Sequence, residues 1–363
     1  VKRADAVGVK IVTKLEASDV LVDAIVGTGF SGEFNPELKE LVGSMNSMEA
    51  FKIACDIPSS GFCADVTLTM GALKKSMFLD EAKEFVGEIK VLDLGISREI
   101  YEGKTNWHLL DIEDLRLPIR AKKDSHKGSY GHLVLACGDK SGASILSAQA
   151  ALRFGAGLVT LLGYENDIIP HSIMSSHELP KNTTALAIGM GLGNEFSDKE
   201  LNEFLDNNLP LIADADIFHM STIINILKRK NVVLTPHAKE FVSLLKLTEL
   251  ASISVEELQK NRFKYVEMFT DAYPDVTLIL KGANVIIANA NQYFVNPHGT
   301  SALAKGGSGD VLSGLVGALL AQGYTTLEAA KNASLAHTCL AQNYEGADFS
   351  LTPDDLIAGI CDL

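Results

Sequence analysis

Short apolar stretches recur along this chain, and each stops at a polar loop bearing glycine, aspartate or proline. Residues 20–26 run into Gly27-Thr28-Gly29-Phe30-Ser31-Gly32, and residues 51–55 into Asp56-Ile57-Pro58-Ser59-Ser60-Gly61. Residues 132–137 precede Gly138-Asp139-Lys140-Ser141-Gly142-Ala143, and residues 185–188 precede Gly189-Met190-Gly191-Leu192-Gly193. Residues 211–213 end at Asp214-Ala215-Asp216, residues 231–234 at Thr235-Pro236-His237, and residues 276–280 at Lys281-Gly282-Ala283-Asn284. Apolar runs of this length, bounded by turn residues, read as buried strands of a parallel sheet. Crossovers in such a sheet share one hand, so the loops that follow the strands emerge on one edge. Open α/β sheets bind ligands at that edge. The pattern therefore predicts an α/β fold with a site assembled from loops far apart in sequence. Further strands are predicted at 66–70, 88–94 and 158–162, and a hairpin at 285–288 and 293–296.

A second constraint is Lys305-Gly306-Gly307-Ser308-Gly309-Asp310, followed by the apolar run 311–320 and by Gly323. The run is long enough for a buried helix, and Gly323 suits the position just past its end. Gly307, Ser308 and Gly309 then sit at the helix N-terminus, where free backbone N–H groups and the helix dipole favour an anion. Asp310 falls in the first turn beside that anion. A carboxylate repels phosphate but can deprotonate a hydroxyl facing it, so Asp310 is the candidate general base. The alternative is a capped core helix whose aspartate only caps.

The chain has 363 residues, enough for about two domains. Residues 97–126 are polar with few apolar repeats, so the boundary is placed there: a first domain at 1–103 and a second at 104–363. Net charge is −14 and no long basic run occurs, which argues against a nucleic-acid partner. The five cysteines are scattered without a C-x-x-C pair and read as buried thiols of a reducing compartment. No apolar run long enough to span a membrane and no signal peptide is seen, so a cytoplasmic protein without a membrane partner is expected. The chain begins at Val1 rather than Met, directly in a polar segment, which leaves an upstream segment open.

The loops hold the remaining candidates. Gly27 to Gly32 matches G-x-G-x-x-G, but the next helix is predicted to begin later, with Asn35 as N-cap and Pro36 behind it. In a dinucleotide fingerprint the glycines open the helix, so this is a ligand loop of another kind. Lys281 is a strand-end cation suited to a nucleotide phosphate, or else a solvated surface lysine. His237 contacts a ligand or serves the turn, and Asp214 and Asp216 orient a ligand or cap the next helix. Gly189, Gly191 and Gly193 permit close backbone approach or simply make a turn, and Asp139 is a turn residue before it is a ligand contact.

Gly307-Ser308-Gly309-Asp310, Asp214-Ala215-Asp216, Leu234-Thr235-Pro236-His237 and Lys281-Gly282-Ala283-Asn284 together resemble the C-terminal domain of the NAD(P)H-hydrate repair enzymes, over about residues 110–363. That domain is an ADP- or ATP-dependent NAD(P)HX dehydratase with a ribokinase-like, three-layer fold. The resemblance implies Asp310 as catalytic base and substrate contact. It places the adenine nucleotide on Lys281, Gly282, Ala283, Asn284, Val285 and Gly309, to which the anion-site reading adds Gly307 and Ser308. Ala143, Gly191 and His237 would contact the hydrated dinucleotide. Ala238-Lys239 stands where Pro-Gly is common.

The first 100 residues resemble the second half of the companion NAD(P)HX epimerase domain, a Rossmann-like fold, through Val22-Asp23-Ala24, Gly27-Thr28-Gly29 and Asp56-Ile57-Pro58-Ser59. By that resemblance Asp23 and Ser59 bind potassium, while Gly27, Thr28, Gly29 and Asp56 contact substrate. The Asn-Asn-Gly-Gly-Asp motif of the first half is absent and Ser60 is an addition, so either an upstream segment exists or epimerisation is lost. The implied protein is a bifunctional repair enzyme acting on NADHX or NADPHX. It takes ADP or ATP as co-substrate and K⁺ in its epimerase part, with Mg²⁺ a further candidate, and a homo-oligomer is expected. The rival readings are a small-molecule kinase of the ribokinase superfamily and a non-catalytic nucleotide-binding module.

Overall fold

Where the sequence carries short runs of Val, Ile and Leu, the chain is extended, because branched side chains pack well on a pleated surface. A computed structural model describes residues 6–27, 29–30, 32–163 and 169–363, and the chain divides into two units, Val1–Lys104 and Thr105–Leu363.

The N-terminal unit is a four-stranded parallel sheet of β1 (Val20–Asp23), β2 (Phe51–Cys55), β3 (Val66–Met70) and β4 (Glu88–Leu92), in that order. Helix α1 (Pro36–Asn46) begins where the sequence predicts: Asn35 is the N-cap and its side chain accepts the Leu38 N–H at 2.8 Å. Strand alternation sends Leu21 and Ala54 to the face that joins Val42 and Met45 of α1 in the core. Val20 and Val22 point the other way and are exposed, as is Phe51 beside Val20.

The C-terminal unit is a ten-stranded sheet. Its strands are β5 (Trp107–Leu109), β6 (His132–Ala136), β7 (Leu158–Leu162), β8 (Met174–Ser176), β9 (Ala185–Ile188), β10 (Leu211–Ala213), β11 (Val232–Leu234), β12 (Val276–Leu280), β13 (Val285–Asn289) and β14 (Gln292–Asn296). The order is β5-β14-β13-β12-β11-β10-β9-β6-β7-β8, and only β13 runs against its neighbours. The helices used below are α2 (Ser141–Arg153), α3 (Ala238–Leu247), α4 (Arg262–Ala272), α5 (Ser308–Ala321) and α6 (Thr326–Gln342). Leu133 and Leu135 of β6 join the core that holds α5, while Val134 between them is equally buried on the opposite face. Both faces of this sheet are therefore covered. Helix α5 is buried over nearly its whole length. Glycine inside a helix costs about 1 kcal/mol against alanine. At Gly314 it lets two backbones meet, since a Cβ there would lie 2.3 Å from the Ser147 carbonyl oxygen of α2.

Two expectations need correction. The polar region 97–126 contains strand β5, which pairs with β14; Trp107 stacks on Tyr293 at 4.6 Å and meets Phe263 edge-on at 4.7 Å. Three residues are too few to show a period. The cysteines are all free, but Cys63 and Cys361 are exposed, and only Cys137 and Cys339 are fully buried.

Candidate active site

Helix α5 starts at an unusual turn. Gly307 holds φ at +88°, which a side chain disfavours, and a Cβ there would strike Pro353 at 2.5 Å. No side chain caps the helix. The Ser308 N–H bonds the Lys305 carbonyl at 3.3 Å and the Val311 N–H bonds that of Gly307 at 3.1 Å. Between them, the N–H groups of Gly309 and Asp310 have no acceptor among the described residues. Uncapped first-turn N–H groups are a ready anion site.

The loop after β12 brings a cation to that turn. The Lys281 ammonium lies 2.8 Å from Asp214 Oδ1 and 3.9 Å from Glu240 Oε2, and a Cβ on Gly309 would sit 3.5 Å from it. Burial works to lower its pKa, but Asp214 and Glu240 carry it above the ordinary lysine value. Lys281 is thus no solvated surface lysine. Asp214 is 2% exposed; its other oxygen accepts the Ser313 hydroxyl at 2.8 Å, and it does not cap the turn that follows. The capping reading of Asp214 is thus not what the structure shows; its side chain pairs with Lys281 and Ser313. Asp216 accepts the Gly193 N–H at 2.9 Å.

Asp310 completes the group. No donor is hydrogen-bonded to its carboxylate among the described residues. Burial first, and then the charge of Asp214, push its pKa up to about 6, against the opposing pull of Lys281. A carboxylate with that value is ionised at neutral pH yet basic enough to take a proton.

Other predicted residues line the same edge. Gly191, with φ +64°, packs so tightly on the 140–143 turn that a Cβ would meet the Lys140 carbonyl oxygen at 2.2 Å and the Ala143 Cβ at 3.0 Å. His237 is the N-cap of α3: its Nδ1 accepts the Glu240 N–H at 3.1 Å, and Glu240 accepts the His237 N–H at 2.7 Å. Its ring is half-exposed, with Nε2 3.4 Å from Glu240 Oε1. Gly282 and Ala283 are exposed, while Asn284 and Val285 turn inward. Arg262 of α4, 1% exposed, donates to the carbonyls of Leu280, Lys281 and Asn284 at 3.3, 3.2 and 3.0 Å and so braces this loop.

A family model described as NAD(P)H-hydrate dehydratase matches residues 132–360, and one described as YjeF-related protein N-terminus matches residues 2–76. The bifunctional NAD(P)H-hydrate repair enzyme Nnr of Helicobacter pylori is 43% identical over 356 residues, covering 94% of this chain and 75% of that protein. This chain belongs to the NAD(P)H-hydrate repair enzyme family. The Escherichia coli repair enzyme is 31% identical over 353 residues, covering 90% of this chain and 67% of that protein. An ADP/ATP-dependent NAD(P)H-hydrate dehydratase from Bacillus subtilis, crystallised with ATP and Mg²⁺, superposes with a TM-score of 0.58 at 28% identity. It covers 68% of this chain and 92% of that one. A ribokinase-like superfamily protein from Enterococcus faecalis has the same fold, with a TM-score of 0.59 at 23% identity.

In this repair-enzyme chain the N-terminal unit gathers a second set. Asp23 is fully buried and accepts the Ser59 N–H at 2.6 Å, the Ser59 hydroxyl at 2.7 Å and the Ile25 N–H at 3.1 Å. Asp56 holds φ at +71°, a strained backbone for a residue with a side chain. Its carboxylate accepts Lys74 Nζ at 2.5 Å, and its other oxygen faces Gly27. Lys74 also donates to Thr69 Oγ1 at 2.7 Å and the Met70 carbonyl at 2.8 Å. Gly29 is exposed, and a Cβ there would meet nothing within 4 Å among the described residues; Thr28 lies outside them.

Glu240, Arg262, Ser313, Lys74 and His337 escaped the sequence reading. Glu240 alone had a local signal, as the acidic third residue of a helix capped by His237.

Proposed function

We propose that this protein repairs hydrated NAD(P)H by nucleotide-dependent dehydration, with Asp310 as base. The observation that carries the reading is the basic Asp310 carboxylate, without a hydrogen-bond partner among the described residues, in the first turn of a helix where the Gly309 and Asp310 N–H groups have no acceptor among them, next to Lys281. The B. subtilis dehydratase, ADP/ATP-dependent by description and crystallised with ATP, supports ADP or ATP as phosphoryl donor.

In this reading the terminal phosphate lies on the N–H groups of Gly309 and Asp310 with Lys281 beside it, and residues 281–285 hold the rest of the nucleotide. Asp310 takes the proton of the 6-hydroxyl of the (6S)-hydrate as that oxygen attacks the phosphorus. From ADP this leaves AMP and the phosphorylated hydrate. The ring nitrogen lone pair then expels phosphate from C6, and loss of a C5 proton restores NAD(P)H. Ala143, Gly191 and His237 would hold the substrate in this reading. The protein's contribution is positioning and charge stabilisation. Among the described residues no set of three His, Cys, Asp or Glu side chains is arranged to hold a metal ion. Any Mg²⁺ would therefore arrive with the nucleotide phosphates, and no step is assigned to it.

The test is incubation with NADHX and ADP while following NADH absorbance, AMP and phosphate. Retention of a phosphorylated product without NADH would favour a kinase, and binding of ADP without turnover a regulatory module.

For the N-terminal unit we propose epimerisation of NAD(P)HX, conditional on further oxygen donors. Asp23 and Ser59 supply a carboxylate and a hydroxyl, the chemistry a hard cation such as K⁺ accepts. They already satisfy each other, and two side chains fall short of a cage. We expect residues 1–363 to consume one epimer of a mixed substrate and leave the other. Fast consumption of both, stimulated by K⁺, would overturn that expectation.

A further inference from the structure

Ser308 is the first residue of α5, and its side chain does not face the anion site. It is 5% exposed, and its Oγ lies 3.1 Å from Nε2 of His337, a residue of α6 that is 7% exposed. The N-cap position is Gly307, which has no side chain, so no side-chain cap forms and the N–H groups of Gly309 and Asp310 have no acceptor among the described residues. The imidazole ties the first helical residue of that open turn to α6. The ring that does this stays neutral: burial holds His337 down to about 4, and the Lys281 charge acts in the same direction against a Ser308 backbone contact. A neutral imidazole carries one donor and one acceptor, so it can bond the hydroxyl without adding a second cation beside Lys281.

We propose that His337 is a positioning residue for the nucleotide site. By holding the Ser308 hydroxyl it fixes the first turn of α5, so that the Gly309 and Asp310 N–H groups stay open to phosphate and the Asp310 carboxylate stays beside it. Ser308 then serves the site through its backbone, and its hydroxyl is structural. The inference rests on the reading of this turn as the phosphate site of a nucleotide-dependent dehydratase.

The test compares His337→Leu, His337→Gln and Ser308→Ala with the unaltered chain, measuring kcat and the KM of each substrate. A group misplaced by an ångström costs about 100-fold. His337→Leu should therefore lower kcat/KM for ADP by roughly 10- to 100-fold, with the KM of the hydrate moved less than about twofold. His337→Gln, whose amide can reach Ser308, should recover most of the loss. Ser308→Ala should reproduce it, and the Ser308→Ala/His337→Leu double variant should be no worse than the poorer single one, since both remove one contact. The proposal is overturned by unchanged kcat/KM for ADP in His337→Leu, by equal losses toward both substrates, or by additive losses in the double variant. If His337→Leu fails to fold, wild-type values in Ser308→Ala overturn it just as well. No ADP-dependent turnover in the unaltered chain would instead count against the proposed function. Calorimetric ADP binding by the same variants would still decide the role of His337.

Discussion

The two units hold their acidic residues in opposite ways. In the N-terminal unit buried Asp23 has three donors from its own chain and half-buried Asp56 has Lys74, so each charge is already matched. In the C-terminal unit Asp214, Glu240 and Asp310 share one nearby cation, Lys281, and Asp310 receives no hydrogen bond among the described residues. Matched charges stabilise a fold. An unmatched one costs stability and is retained where a ligand or a proton will use it. The contrast marks the C-terminal cluster as poised for chemistry, and it can be broken at particular residues.

The largest expected effect is at Asp310. Asp310→Asn keeps size and hydrogen bonding but accepts no proton, so turnover should fall by about two to four decades. ADP affinity should hold or rise, because a charge that repels phosphate is gone. In the unaltered chain turnover should fall as pH drops through about 6, where Asp310 takes up a proton. Near-normal turnover in Asp310→Asn would end the assignment.

The same variant tests whether the charge is unmatched. A carboxyl whose folded-state pKa is raised contributes stability that is full below its unfolded value and lost as pH rises through the folded one. Ionised Asp310 should therefore destabilise the chain above about pH 6. Asp310→Asn should be the more stable protein at pH 8, by up to about 3 kcal/mol before screening, with the difference gone by about pH 4. Denaturant unfolding at the two pH values measures it, and equal stability at pH 8 would dissolve the comparison.

Lys281→Ala should weaken ADP binding by about 1.5–3 kcal/mol, the scale of a charged hydrogen bond. The sequence alone suggests a phosphate ligand whose loss barely changes the stability of the apo protein. The structure reverses that expectation, since Asp214 and Glu240 would lose their cation. The apo protein should lose about 1–3 kcal/mol. Unchanged melting without ADP would show the pair to be unimportant.

The smallest effect belongs to the N-terminal unit. Ser59→Ala removes one of three donors from buried Asp23 and should cost about 1–2 kcal/mol there, read as faster hydrogen exchange in β1 and β2. Dehydration should be untouched. Loss of dehydratase activity in this variant would mean that the units are not separable in function.

Much of this was legible in the primary structure, for local reasons. Apolar runs predicted strands such as 51–55, 66–70 and 276–280 to the residue, and Asn35-Pro36 located a helix start, because the period of a strand and the chemistry of a cap are written in neighbouring residues. Gly307 to Asp310 predicted a helix N-terminus for the same reason. Strands β5 and β8 were illegible, being short edge strands whose existence depends on a neighbour to pair with. The electrostatics were illegible as well. Lys281 meets Asp214 across 67 residues, Ser313 meets Asp214 across 99, and His337 meets Ser308 across 29. Residue types alone left Lys281 between a phosphate ligand and a solvated cation, and Asp214 between a ligand-orienting residue and a cap. Strand order in the sheet set β12 two places from β10, and the packing of α5 against β10 helped decide which charges are buried together. Desolvation and pairing act on neighbours in space, which only the tertiary structure supplies.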